Sequence, residues 1–257
     1  METEDVQFEA KDFIAIVTLN RPAKLNAVTP EMAEALRQAT ARINADPQIR
    51  VAILTGAGPK AFCAGSDIRD LDRYEMPWDF RNRQDYCDAI RDVRKPVIGA
   101  VNGYCLGGGL ELAMACDLRI ASENAIFGAP EIKLGWVGGG GMAFALAHSI
   151  GPSNAAIMLL TGDSIDAEKA VRWGLVSEVV PLSRLMTRVR ELASVIAERP
   201  PIATQTAKLN LRAAYSMTRE DATRYERDLQ TICFATEDAM EGRKAFKEKR
   251  SANFKGR

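Results

Sequence analysis

The chain has 257 residues, 47% apolar and 26% charged, with 34 Lys and Arg against 34 Asp and Glu, so its formal net charge is zero. That length suits one main domain with room for an appendage, and the composition excludes a fibre or a disordered chain. With no overall field to recruit nucleic acid or an anionic membrane surface, neither is an expected partner, and an anionic ligand has to be met by a local basic patch.

The five cysteines, Cys63, Cys87, Cys105, Cys116 and Cys233, are odd in number and scattered, without CxxC spacing. They point to reduced thiols in a cytoplasmic setting, not to a disulfide framework or a zinc site. The start, Met-Glu-Thr-Glu-Asp, lacks the basic and apolar regions of a secretory signal, and no apolar run approaches the ~18 residues of a membrane helix. Neither signal-directed export nor a membrane span is expected.

In chain order, residues 13–19 (FIAIVTL) read as a strand ended by Asn20-Arg21-Pro22. Thr29 followed by Pro30 and Glu31 is a helix start, and Met32, Ala35, Leu36, Ala39 and Ile43 recur at helical spacing. The short apolar runs 51–54, 96–101, 118–121 and 176–180 alternate with helical patterns. The first two-thirds is therefore α/β with mainly parallel strands. After Arg199-Pro200-Pro201 no strand signal appears, and residues 203–215, 219–234 and 238–246 are helical in pattern. The division expected is a core over residues 1–200 and a helical region over residues 201–257. Most charges of that region belong on solvated helix faces.

Three glycine-bearing segments stand at strand ends or helix starts: AFCAGSDI (61–68), NGYCLGGGLE (102–111) and the four glycines 138–141. Such places present unpaired N–H groups to an anion or oxyanion, although tight turns alone also explain them. Neither a phosphate-binding GxxxxGK[ST] nor a dinucleotide fingerprint is present. Glu111 sits in the apolar run LELAMAC, and burial there raises a carboxyl's pKa towards the range where it exchanges protons; capping of the helix start is the plainer alternative. Glu131, in FGAPEIKLG, is a second candidate, with a salt bridge to Lys133 as its plainer alternative. Two carboxylates matter together because adding water across a polarised double bond needs one group to activate the water and another to protonate the far carbon. The single histidine, His148, falls in the last turn of a helical pattern, which disfavours a Ser-His-Asp hydrolase.

The segments AFCAGSDI (61–68), VNGYCLGGGLELAMACDLRIA (101–121) and FGAPEIKLG (127–135), in this order, resemble the signature stretches of the enoyl-CoA hydratase/isomerase, or crotonase, superfamily. The resemblance runs from LNRPAKLNA (19–27) to KRSANFK (249–255). It implies a crotonase-type spiral of ββα units with a C-terminal helical trimerisation region, assembled as a homotrimer or a hexamer made of two trimers. It implies an acyl-CoA thioester as substrate, with coenzyme A part of that substrate and no separate cofactor or metal.

The amides matching Ser66 and Gly108 would hold the thioester oxygen, so that Ser66 acts through its N–H and not its hydroxyl. Glu111 and Glu131 match the pair that in hydratases holds the water adding to C3, with Glu131 associated with proton delivery at C2. For the coenzyme the resemblance points to Ala64 and its neighbours Asp67, Ile68 and Gly107, to Lys24 and Arg69 near the phosphates, and to Phe246 and Lys249, which in the family reach a neighbouring subunit's coenzyme.

Members that shift double bonds, hydrolyse esters or decarboxylate commonly lack one or both glutamates, which favours hydration of a 2-enoyl-CoA to a 3-hydroxyacyl-CoA. An isomerase, a dehydratase of carnitinyl-like acyl-CoA and a non-catalytic RNA-binding member are the alternatives. The chain departs from the family where many hydratases carry Pro-Gly-x-Gly-Gly, a polar residue and an Arg; here it reads WVGGGGMAF (136–144), which implies a more flexible loop. Trp136 either lines the acyl pocket or belongs to the core. Tyr74, Met76 and Trp78 fall where members carry a mobile acyl-binding segment.

Overall fold

The computed structural model describes residues 5–257; the acidic start read above lies, up to residue 4, outside the described residues. β1 (Val6–Lys11) and β2 (Ile14–Leu19) form an antiparallel hairpin through Asp12 and Phe13, which both have positive φ. Two left-handed residues match the turn to the twist of the strands. They also explain why the strand expected from residue 13 begins at Ile14: Phe13 is in the turn, its ring under the Arg50 guanidinium at 4.1 Å. α1 (Pro30–Ala45) begins as its sequence dictates, with Pro30 in the first turn and the Thr29 hydroxyl accepting the Met32 N–H, and it buries Met32, Leu36 and Ile43.

A strand–strand–helix unit then recurs. The first has β3 (Val51–Gly56) and β4 (Ala61–Cys63), with the short helices α2 (Ile68–Leu71), α3 (Pro77–Arg81) and α4 (Tyr86–Arg91). The second has β5 (Val97–Val101), β6 (Tyr104–Leu106) and α5 (Gly108–Ala115). The third has β7 (Leu118–Ser122) and β8 (Ile126–Gly128), a 3₁₀ turn Pro130–Leu134, then α6 (Met142–Ile150) and α7 (Pro152–Thr161). β9 (Ile165–Asp166), α8 (Ala167–Trp173), β10 (Glu178–Val180) and α9 (Leu185–Ala197) complete the core.

The first strand of each unit joins a six-stranded sheet ordered β1-β2-β3-β5-β7-β10, parallel from β2 onwards, and the second joins a smaller sheet ordered β4-β6-β8-β9. Each unit thus adds one strand to either sheet, the spiral of ββα units that the family resemblance implies.

Strand periodicity explains why β3 and β5 read as unbroken apolar runs. Ala52 and Leu54 of β3 face the main core with Val97 and Val101 of β5, whereas Val51 and Ile53 face the opposite side with Ile98 and Ala100. That second face is covered by Leu185, Val189 and Ala193 of α9. Strands buried on both sides have no polar alternation to display.

The chain ends in α10 (Pro201–Ala213), α11 (Arg219–Phe234) and α12 (Glu237–Glu248). Pro201 occupies the first turn of α10, so the Pro-Pro pair that stops α9 also starts the next helix. α10 is tied to the core by Lys208, whose ammonium is 2.7 Å from Asp117 and donates to the Lys95 carbonyl at 2.8 Å. α11 buries only Leu229, and Ile232, Phe234, Met240 and Phe246 are exposed. Among the described residues no helix is long and apolar enough to cross a membrane.

Candidate active site

The site begins at the C-terminal end of β4. Leu25 and Asn26 both adopt the left-handed conformation, and the buried Asn26 side chain accepts the Arg21 N–H at 2.9 Å and donates to the carbonyls of Ala57 and Ala61 at 3.1 and 2.8 Å. This knot braces residues 64–67, where Ala64 N–H donates to Leu25, Val28 N–H to Gly65, and Asp67 N–H to Val28. In this bridge the neighbours of Ser66 use their polar groups on Val28, and its own N–H faces the other way.

On that other side stands the start of α5. Gly107, with φ 55°, turns the chain from β6 into the helix, and Gly108 provides one of the first amides of α5, which have no partner within a helix. A side chain on Gly65 would come within 3.0 Å of the Gly108 nitrogen, so the two segments lie in contact. Tyr86 of α4 closes one side: its half-buried hydroxyl is 3.0 Å from the Ser66 hydroxyl, and a methyl group on Gly108 would overlap it. Burial pushes the Tyr86 phenol well above its usual range, which keeps it a neutral donor.

Glu111, one turn into α5, is 6% exposed, and Glu131, in the 3₁₀ turn, is 9% exposed. Glu111 caps neither its own helix start nor a cation; its Oε1 accepts the Gly140 N–H at 2.7 Å. A side chain at Gly140 would stand 2.7 Å from its other oxygen, so the glycine run lets backbone reach this carboxylate. Lys133 turns away from Glu131 to pair with Asp163 at 2.8 Å, which removes the salt bridge as an account of Glu131. Glu131 Oε1 instead lies against Gly107, 2.8 Å from where a Cβ would stand, and its Oε2 is buried without a hydrogen-bond partner among the described residues.

Burial pushes both carboxyls above the ordinary carboxylate range. For Glu111 the Gly140 N–H opposes that rise, and the charges of Asp85 and Glu131 add to it. Two buried carboxyls with different partners differ in how readily each ionises, which is what a water-adding or proton-shifting site requires.

The four-glycine loop has an anchor that the sequence did not disclose. Arg91 of α4 donates Nη2 to the Gly140 carbonyl and Nη1 to Asp88 at 2.6 Å, and its own carbonyl accepts from Arg212 of α10 at 2.6 Å. Gly140 is therefore held from both sides, its C=O by Arg91 and its N–H by Glu111. Tyr86 and Arg91 escaped the sequence reading because each looks like an ordinary helix residue; the one local signal was Asp85, whose carboxylate caps α4 by accepting the Cys87 N–H at 2.7 Å.

The remaining candidates are dispersed. Asp67 caps α2 and pairs with Arg21 at 3.2 Å; Ile68 and Arg69 follow it, exposed. Ala64 is half-buried beside Ser66, and Lys24 is exposed in the turn before Asn26. Trp136, 42% exposed, is no part of the core. Phe246 is 85% exposed on α12, and Lys249 is the left-handed residue that ends that helix. His148 stands in the last turn of α6, its Nδ1 2.8 Å from the Phe144 carbonyl, as a helix-end residue.

Residues 9–257 match the family model described as enoyl-CoA hydratase/isomerase. The chain is 42% identical over 257 residues to (E)-benzylidenesuccinyl-CoA hydratase of Thauera aromatica, covering 98% of this chain and 99% of that one, and 38% identical to crotonyl-CoA hydratase of Syntrophomonas wolfei, covering 99% of each. The crystal structure of an enoyl-CoA hydratase from Bacillus anthracis superposes with a TM-score of 0.93 at 34% identity, over 98% of this chain and 100% of that one. With the ββα spiral, the paired sheets and the full-length match in agreement, the chain belongs to the enoyl-CoA hydratase/isomerase family.

Proposed function

We propose that the protein is an enoyl-CoA hydratase that adds water reversibly and syn across the double bond of a 2-enoyl-CoA, giving the 3-hydroxyacyl-CoA. What supports this reading is that Glu111, one turn beyond Gly108, and Glu131, against Gly107, are both buried carboxyls beside the place where Gly65 and Gly108 lie in contact. In the reaction the thioester oxygen lies between those two N–H groups, which are strongest when negative charge builds on it. Water oxygen bonds to C3 as one of its protons passes to a carboxylate, the C2–C3 π electrons move towards the thioester to form the enolate, and a protonated carboxyl returns a proton to C2.

Glu111, whose anion is favoured by the Gly140 N–H, suits the base; Glu131, with one oxygen buried and unpartnered, suits the acid. Gly107 packs against Glu131 and holds it beside the oxyanion amides. Ala64, Asp67, Ile68, Arg69 and Lys24 border the approach to Ser66 and are our candidates for the coenzyme, with Trp136 for the acyl group. Phe246 and Lys249 would serve a neighbouring subunit's coenzyme, in a homotrimer or hexamer assembled through residues 201–257, which the exposed apolar side chains of α11 and α12 support. No cofactor beyond the thioester's own coenzyme A is needed, and five unpaired thiols favour a cytoplasmic setting.

The test is hydration of crotonyl-CoA followed by loss of enoyl absorbance, with the 3-hydroxyacyl thioester identified as product. Glu111→Gln and Glu131→Gln should each lower kcat by about 10²-fold or more, the scale of a lost acid/base group. Near-wild-type turnover in either variant overturns the assignment.

A further inference from the structure

A cavity of about 170 Å³ opens beside Ser66 and Tyr86, with Tyr74, Asp70 and Arg83 in its wall. Its carboxylates are already engaged, Asp67 with Arg21 at 3.2 Å and Asp70 with Arg73 at 2.7 Å. Arg83 is different: it is half-buried and, among the described residues, no carboxylate lies within ion-pair distance of it. Its guanidinium is nevertheless held in place. Nη1 donates to the Phe80 carbonyl at 2.8 Å, the group lies 4.0 Å over the Phe80 ring, and that ring meets Tyr74 edge-on at 5.4 Å.

Nη2 reaches beyond the cavity to the glycine loop, 3.5 Å from where a Cβ of Gly139 would stand, next to the residue whose N–H binds Glu111. A guanidinium stacked on an aromatic ring, with most of its donors unused, is a preorganised fork for a carboxylate. Its position between the Ser66 cavity and the Glu111 loop puts that carboxylate on the acyl end of the thioester, since Ser66 marks the thioester carbonyl and Glu111 the carbons that react.

We propose that Arg83 is a specificity determinant that makes this site select 2-enoyl-CoA thioesters bearing a second, free carboxylate on the acyl group, an inference that rests on the hydratase reading above. A site already holding two glutamates repels such an anion unless a cation offsets it, and Arg83 is the cation that borders both the cavity and the loop.

The experiment compares acid with ester. Wild-type protein, Arg83→Gln and Arg83→Lys are assayed with 4-carboxybut-2-enoyl-CoA and 5-carboxypent-2-enoyl-CoA, each against its own methyl ester, with crotonyl-CoA as reference. Wild type should favour the acid of at least one pair by about tenfold or more in kcat/KM, the scale of a charge-assisted hydrogen bond. Arg83→Gln should bring that ratio close to one, and Arg83→Lys should keep part of it.

An acid-to-ester ratio at or below one in both pairs for the wild type overturns the proposal, even where a variant fails to fold. So does a ratio unchanged by Arg83→Gln, the result expected were the arginine a contact for the coenzyme phosphates that acid and ester share. Turnover of crotonyl-CoA and the esters without acid preference defeats this proposal alone; no hydration of any thioester defeats the hydratase reading itself.

Discussion

At the scale of single residues, the candidate site is built against stability. Glu131 is a carboxyl whose pKa burial raises above its unfolded value, which lies at about 4.3. Below that value it is protonated in both states and costs nothing electrostatic; as pH rises through the raised folded value the native state must carry a buried charge, and stability is lost. Glu131→Gln cannot ionise, so this loss should be absent from it. Its melting temperature relative to wild type should therefore rise between pH 4 and pH 8, by about 2–4 °C for each kcal/mol relieved. Calorimetry giving the same difference at both pH values would show that the carboxyl is not held against its charge. Composition and pattern marked Glu111 and Glu131 as carboxylates in apolar stretches. Which partner each takes was not legible, because a Gly140 amide 29 residues from Glu111 and a Lys133 drawn away to Asp163 are matters of how loops cross.

Among the elements, the four-glycine loop is less free than its composition implies. The run reads as flexible, yet Gly140 is held by Arg91 on its carbonyl and by Glu111 on its amide. Arg91 acts through the loop and is a positioning residue. Arg91→Ala should lower kcat about tenfold or more while changing KM less, as expected when a reacting group is displaced without loss of substrate contacts. It should also move the acid limb of the kcat–pH profile upwards, because the Gly140 N–H that favours ionised Glu111 is no longer aimed. Arg91→Lys should recover part of both effects. A fall in kcat with an unmoved profile would make Arg91 merely structural. The strands of the larger sheet from β2 onwards and the long helices were legible, since two-sided burial and helical spacing repeat along the chain. β1, exposed along most of its length, shows no such pattern, and α2, α3, β4, β6, β8 and β9 are too short to repeat, so packing decides them.

For the whole molecule, the question is what binds the C-terminal helices to the spiral. Lys208, with 4% of its side chain exposed, pairs with Asp117, which also accepts the Val97 N–H at 2.7 Å where β5 begins. Removing one partner of a buried pair leaves the other's charge uncompensated, so Lys208→Ala should cost about 3–5 kcal/mol in urea unfolding. Combining Lys208→Met with Asp117→Asn should restore much of that while keeping the acceptor for Val97. An unshifted midpoint in Lys208→Ala would mean that α10 is held by its apolar face instead.

The amino-acid sequence by itself determined the α/β class, the order of the main parallel strands and long helices, the helical C-terminal region and the motifs that carry the family resemblance, because all of these rest on local periodicity and on residue types at short spacing. The tertiary structure alone decided that Glu111 and Glu131 are both buried beside the start of α5, that Tyr86 meets Ser66, that Arg91 holds the glycine loop and that Arg83 has, among the described residues, no carboxylate within ion-pair distance. Those contacts join segments tens of residues apart, and their distances are set by how successive ββα units stack, which no local pattern encodes.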